Sequence, residues 1–205
     1  MPVWVKICGI TNAADAAAAA EAGASALGFM FYEGSKRNVA PAVATEIICE
    51  LPAFISKVGV FVNAPPDVVR RVIAETGIDG LQFHGEETPE FCAQFGLKVI
   101  KAFPVRDRES LRACAGYPDC AWLLDTFLDG ARGGTGVAFD WDVAAEAVKL
   151  SRRVILAGGL KPETVAEAVR QVRPFGVDVS SGVESAPGRK DHTKVRAFIS
   201  AAKDA

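Results

Sequence analysis

A compact (β/α)8 barrel of the TIM type, occupying residues 1–205 as a single catalytic domain, is the fold class this sequence predicts. Three observations carry that reading. Short runs rich in β-branched residues alternate eight times with longer helical patterns. No linker or composition break interrupts the series. Polar residues recur at the carboxyl ends of the strand runs, where an α/β fold places its site. The length of 205 residues lies near the low end for such barrels, roughly 200–400 residues. A doubly wound open sheet is the alternative, and eight regular units favour closure.

The first strand is expected over 3–8, VWVKIC. Strand side chains alternate, so Val3, Val5 and Ile7 share one face and Trp4, Lys6 and Cys8 the other. A helix over 12–22 follows, with Asn12 as its cap and the helix-forming run Ala16–Ala20 inside it. The series continues with a strand at 26–31 and a helix at 41–51, then 56–62 and 66–76, then 80–84 and 88–95. It closes with 98–103 and 107–115, 120–125 and 141–150, 153–157 and 162–171, and 175–180 and 191–203. Pro41, Pro66, Pro89 and Pro162 fall in early helical turns, where a missing N–H leaves no hydrogen bond unmade.

Composition narrows the function. Half the residues are apolar, and 23 Lys and Arg against 25 Asp and Glu give a net charge of −2. That balance offers no electrostatic footprint for nucleic acid or an anionic membrane. No apolar run approaches the ~20 residues of a membrane span. The chain enters a strand directly, so no signal peptide is expected. Five cysteines (Cys8, Cys49, Cys92, Cys114, Cys120) without a CxxC pair suggest reduced thiols in the cytoplasm, not disulfides or zinc. There is no GxGxxG, P-loop or HExxH.

Several inward candidates are polar: Lys6 and Cys8, Gln82 and His84, Lys101, Asp125, Asp178 and Ser180. Burying them unpaired would cost several kcal/mol each, on the order of 2–7. A wet, ligand-filled mouth explains them. Cys8 is either a small buried hydrophobe or a reactive thiol; Lys6 beside it favours the thiolate and a lowered pKa. Gly158-Gly159 after the seventh strand and Ser180-Ser181-Gly182-Val183 after the eighth are ordinary turns or, together, a phosphate site. Asp178 belongs to the same group. Asp125 is a cap or an acid–base group. Gly133-Gly134-Thr135-Gly136 is a plain connection or a loop that closes over substrate. Arg37 is surface charge or a substrate contact, and His84 is structural, a substrate contact or a proton carrier. Lys6 and Gln82 would line the substrate pocket. His192 looks like surface.

The residues resemble the phosphoribosylanthranilate isomerase family of tryptophan biosynthesis. The strongest pieces are Lys6-Ile7-Cys8-Gly9-Ile10-Thr11, Ala26-Leu27-Gly28-Phe29, Leu81-Gln82-Phe83-His84-Gly85 and Leu123-Leu124-Asp125. Gly133-Gly134-Thr135-Gly136, Leu156-Ala157-Gly158-Gly159-Leu160 and the segment from Gly176 through Ser180 to Glu184 extend it over nearly the whole chain. Ser35-Lys36-Arg37-Asn38 departs from the family's usual Ser-Pro-Arg but keeps Arg37.

The resemblance implies a cofactor-free, metal-free Amadori rearrangement of N-(5-phosphoribosyl)anthranilate, with Asp125 as general acid, Cys8 as general base and Arg37 on the anthranilate carboxylate. The partner is a phosphorylated small molecule, with no nucleic acid or membrane, and the chain is a monomer or homodimer. The alternatives are another phosphosugar isomerase or epimerase barrel, or an inactive metabolite-binding barrel that keeps only the phosphate loops.

Overall fold

A computed structural model describes residues 3–125, 141–151 and 153–205. Eight parallel strands close into a barrel in sequential order: β1 (Trp4–Cys8), β2 (Ala26–Met30), β3 (Ser56–Phe61), β4 (Gly80–Phe83), β5 (Lys98–Pro104), β6 (Ala121–Asp125), β7 (Val154–Ala157) and β8 (Gly176–Val179). The register of β8 against β1 pairs Lys6 with Asp178, which seals the ring. The helices are α1 (Ala13–Glu21), α2 (Pro41–Cys49), α3 (Pro66–Thr76), α4 (Pro89–Ala93), α5 (Leu111–Cys114), α6 (Trp141–Leu150), α7 (Val165–Val172) and α8 (His192–Lys203). Asn12 caps α1 as expected, its side chain accepting from the Asp15 N–H.

Side-chain alternation divides the molecule into two cores. Ala26, Val58, Ile100, Ala102, Leu123, Ile155 and Ala157 pack together inside the barrel. Val5, Ile7, Leu27, Phe29, Leu124, Leu156 and Val177 point the other way, against the helices. This settles which polar residues face inward. Lys6 lies beside Ala26, Gln82 beside Ile100 and Asp125 beside Ala157, all on the inner face. Lys101 is a correction. It lies beside Phe83 and Trp122, on the outer face, because Ile100 and Ala102 take the inner positions of β5. There its ammonium donates to the Gly85 carbonyl at 2.6 Å, lies 3.5 Å from Glu87, and sits over the Phe103 ring. It holds the loop after β4 rather than a ligand.

The helical pattern alone overran several helices, α4, α5 and α7 among them. Residues 107–110 form a turn, not the start of α5, because the Asp107 carboxylate accepts from both the backbone N–H and the hydroxyl of Ser110. α4 ends at Ala93, shortly before Gly96 turns with φ +70°. Pro162 lies in the turn before α7 rather than inside it. One feature had no counterpart in the strand–helix count: after β8 come a 3-10 turn (Ser181–Val183) and a small hairpin of β9 (Glu184–Ala186) and β10 (Arg189–Lys190). Gly133-Gly134-Thr135-Gly136 lies outside the described residues.

Candidate active site

The strand ends place three groups around one mouth of the barrel. Cys8 is the last residue of β1 and is almost fully buried. Its neighbour on β2 is Gly28, and a Cβ there would come within 2.7 Å of the Cys8 sulfur and 3.1 Å of the Lys6 Cε. Gly28 therefore makes the space in which the thiol stands. Lys6, two residues earlier on the same face, is wholly buried and donates to Asp178 at 2.8 Å. Burial works against its charge, but Asp178 and the thiol beside it hold the Lys6 pKa above the ordinary lysine value.

The thiol behaves differently from the sequence expectation. Burial pushes the Cys8 pKa up and outweighs the lowering by Lys6 and Lys190, while Asp178 adds to the rise. A lysine beside a thiol lowers its pKa only to the extent that its charge is not already neutralised, and the Lys6 charge is paired with Asp178.

Asp125 ends β6, part-exposed at the same carboxyl end of the barrel. His84 Nε2 lies 3.2 Å from its Oδ2, and His84 Nδ1 lies 3.2 Å from the Gln82 amide nitrogen. Gln82 is buried, and its carbonyl oxygen has no partner among the described residues; the same holds for the Ser180 hydroxyl. Both orphaned groups belong to the inner face of the mouth, which leaves two buried hydrogen-bonding groups there for a polar ligand to satisfy.

Arg37 reaches the mouth from the loop after β2. Its side chain crosses directly over Gly9, the residue after Cys8: a Cβ at position 9 would meet the Arg37 Cδ at 2.6 Å and the Ser180 hydroxyl at 3.0 Å. Gly9 also has φ +77°, so the position requires glycine twice over. The guanidinium donates through Nε (2.8 Å) and Nη2 (2.7 Å) to the two oxygens of Glu184, in β9. Glu184 also accepts from the buried Lys190 ammonium at 3.0 Å and from the Gly188 N–H at 3.3 Å. Burial disfavours the Glu184 charge, yet Arg37 and Lys190 hold its pKa below the ordinary carboxylate value. Burial pushes the Lys190 pKa down, and hydrogen bonding to Glu184 pushes that of Arg37 up.

The two glycine-rich loops meet. Gly158 and Gly159 both take left-handed backbone, with φ +81° and +68°. Gly182 packs so closely on the loop after β7 that a Cβ would run into the Leu160 carbonyl. Backbone rather than side chains thus forms this part of the mouth, with Ser181 beside it. Asp178 is adjacent but offers no donor; its carboxylate is bonded to Lys6. His192, read as surface, is half-exposed but bonds Asp15 at 2.8 Å.

The structure thus gathers Cys8, Lys6, Asp178, Ser180, Arg37, Gln82, His84, Asp125 and the two glycine loops at one end of the barrel. Sequence reasoning passed over Glu184, Lys190, Gly9 and Gly28 as site residues. Glu184 and both glycines stood inside recognised segments, so their signal was present; Lys190 carried none. Among the described residues, no group of His, Cys, Asp and Glu is arranged to hold a metal, and no helix is long and apolar enough to cross a membrane.

Known proteins match this chain in sequence and in fold. The family model described as N-(5'phosphoribosyl)anthranilate (PRA) isomerase matches residues 5–201. An N-(5'-phosphoribosyl)anthranilate isomerase from Geobacter metallireducens is 55% identical over 201 residues, covering 98% of this chain and 99% of the relative. The crystal structure of phosphoribosyl anthranilate isomerase from Thermotoga maritima superimposes with a TM-score of 0.93 at 44% identity, over 99% of this chain and 100% of that one. Another solved isomerase, in complex with reduced 1-(o-carboxyphenylamino)-1-deoxyribulose 5-phosphate, gives 0.90 at 42% identity, with 99% and 100% covered. A third, described as monomers generated from the dimeric Thermotoga maritima enzyme, gives 0.89 at 41% identity, again with 99% and 100% covered. Matched along nearly its whole length in both sequence and fold, this chain belongs to the N-(5'-phosphoribosyl)anthranilate isomerase family.

Proposed function

We propose that the protein converts N-(5-phosphoribosyl)anthranilate to 1-(2-carboxyphenylamino)-1-deoxyribulose 5-phosphate, an aldose–ketose isomerisation of tryptophan biosynthesis, through its own side chains. Asp125 gives a proton to the ribose ring oxygen as the C1–O bond breaks, and the ring opens to a Schiff base. Cys8, as thiolate, takes the proton from C2; the electron pair forms the enolamine, which tautomerises to the ketone. Arg37 binds the anthranilate carboxylate. Gly158, Gly159, Ser181 and Gly182 present backbone N–H groups to the phosphate, with Ser180 beside them. Lys6, held in place by Asp178, favours the thiolate beside it, and Gln82 and His84 contact the sugar.

The observation that carries this reading is the placement of two proton carriers, Cys8 and Asp125, at the carboxyl ends of β1 and β6 on one inner face, with the Arg37 side chain lying over Gly9 beside the thiol. A pentose-phosphate epimerase would want paired acidic bases or a histidine-rich metal site, and the chain has two histidines. The test is the loss of substrate fluorescence when purified protein is added to freshly made N-(5-phosphoribosyl)anthranilate. Enzyme-dependent conversion supports the reading, and a trace that follows the spontaneous decay overturns it.

The same proposal extends to assembly and location. Phe54, in the loop before β3, is fully exposed. At that amino end of the barrel a cavity of about 380 Å³ has an apolar wall that includes Trp4, Ile155 and Phe175 and a charged rim of Asp79, Lys98, Asp119 and Arg153. A protruding ring and a cavity with an apolar wall on one face suit a two-fold homodimer, each ring entering the other copy. The cysteines are all free thiols, which suits a reducing cytoplasm.

A further inference from the structure

We infer that Glu184 is a positioning residue for the reaction: it grips Arg37 by one edge of the guanidinium and so presents the other edge, already oriented, to the carboxylate on the substrate's aromatic ring. The inference rests on the proposed role of Arg37 and goes beyond it.

The donor count is the first support. A guanidinium has five N–H donors in a fixed plane. Glu184 takes Nε and one hydrogen of Nη2, which leaves Nη1 and the second Nη2 hydrogen as a parallel fork for another carboxylate. A loop arginine on three rotatable carbons would otherwise sample many rotamers, and binding would have to order it.

The clamp itself is anchored. The Glu184 side chain is almost fully buried and receives Lys190, whose side chain is wholly buried, as well as the Gly188 N–H. The Lys190 backbone N–H donates to Asp15 on α1 at 2.8 Å, and Asp15 in turn bonds Asn12 and His192. Thr11, in the loop after β1, donates to the Gly188 carbonyl at 2.6 Å. The hairpin is thereby tied to the frame around Cys8, and Glu184 transmits that rigidity to a side chain from a different loop.

Charge completes the case. Arg37 and Lys190 are positive and Glu184 negative, so while Cys8 is a thiol the cluster keeps one uncompensated positive charge, and Lys6 and Asp178 cancel nearby. One anionic group on the ligand balances it.

The test compares KM and kcat for N-(5-phosphoribosyl)anthranilate in the wild type, Arg37→Met, Glu184→Gln and the double variant. Glu184→Gln is expected to raise KM at least roughly tenfold with a much smaller change in kcat, and the double variant to be no worse than Arg37→Met alone. If Arg37→Met leaves KM unchanged, the role of Arg37 fails and this inference with it. If Arg37→Met raises KM and Glu184→Gln does not, the inference alone is overturned. A further independent loss in the double variant also overturns it, since Glu184 would then act on the fold rather than on Arg37. Should Glu184→Gln not fold, Glu184→Asp, which keeps a charge for Lys190 but draws it back from Arg37, is held to the same pattern.

Discussion

At the scale of single residues, Cys8 shows how competing terms decide a pKa. Proximity to Lys6 was legible in the sequence; the depth of burial and the pairing of Lys6 with Asp178 across the β8–β1 seam were not, because they depend on a contact between residues at opposite ends of the chain. The result is a thiol harder to ionise than usual. In the free enzyme, the Cys8 thiolate should therefore appear above the unperturbed cysteine value of ~8.5. Ultraviolet thiolate absorbance against pH, as the difference between wild type and Cys8→Ser, reads this directly. Lys190→Met removes a lowering charge from beside the thiol, so its midpoint should move higher still. A midpoint below the ordinary value, or one that falls in Lys190→Met, contradicts the electrostatic account.

At the scale of elements, the alternation of strands and helices was readable because period-2 and period-3.6 patterns are local. The short α5 and the polar turn before it were not, since Asp107 and Ser110 bond each other and draw those residues out of the helix. The hairpin β9–β10 was missed for a related reason: strands of three and two residues carry no periodicity, and its role comes from Glu184 and Lys190 reaching other elements. The contact between the loops after β7 and β8 gives an element-level prediction. Gly182→Ala places a methyl into the Leu160 carbonyl and must spread the two loops, at a cost of about 1–3 kcal/mol as for other overpacked sites. Inhibition by inorganic phosphate should weaken by roughly tenfold, about 1.4 kcal/mol, while circular dichroism keeps the barrel signature. Unchanged phosphate inhibition would remove these loops from the phosphate site.

At the scale of the whole molecule, the barrel separates its two ends by task. Polar strand ends form the mouth at one end, and the other end presents Phe54 and a cavity of mixed apolar and charged lining. Closure was legible from the count of units, as was the mouth from the i, i+2 spacing of its polar residues. Lys101 shows the limit: with no neighbour to fix its face, spacing could not tell inside from outside, and the register of β5 puts it against the helices. Sedimentation velocity should show a dimer for the wild type and a monomer for Phe54→Asp, which replaces the apolar ring with a strongly hydrated carboxylate. A monomeric wild type, or a Phe54→Asp variant that remains dimeric, excludes this mode of association.

In the proposed reaction Cys8 and Asp125 move the protons. Single-turnover and steady-state rates for Cys8→Ser and Asp125→Asn test it most directly. Serine keeps the shape but is a far weaker base, and asparagine keeps the shape but holds no transferable proton. Positioned acid–base groups supply ~10²–10⁴-fold each, so each variant should lose at least roughly a hundredfold in kcat with KM changed far less. A Cys8→Ser or Asp125→Asn enzyme with near-wild-type kcat would show that the group packs the mouth of the barrel without taking part in the chemistry.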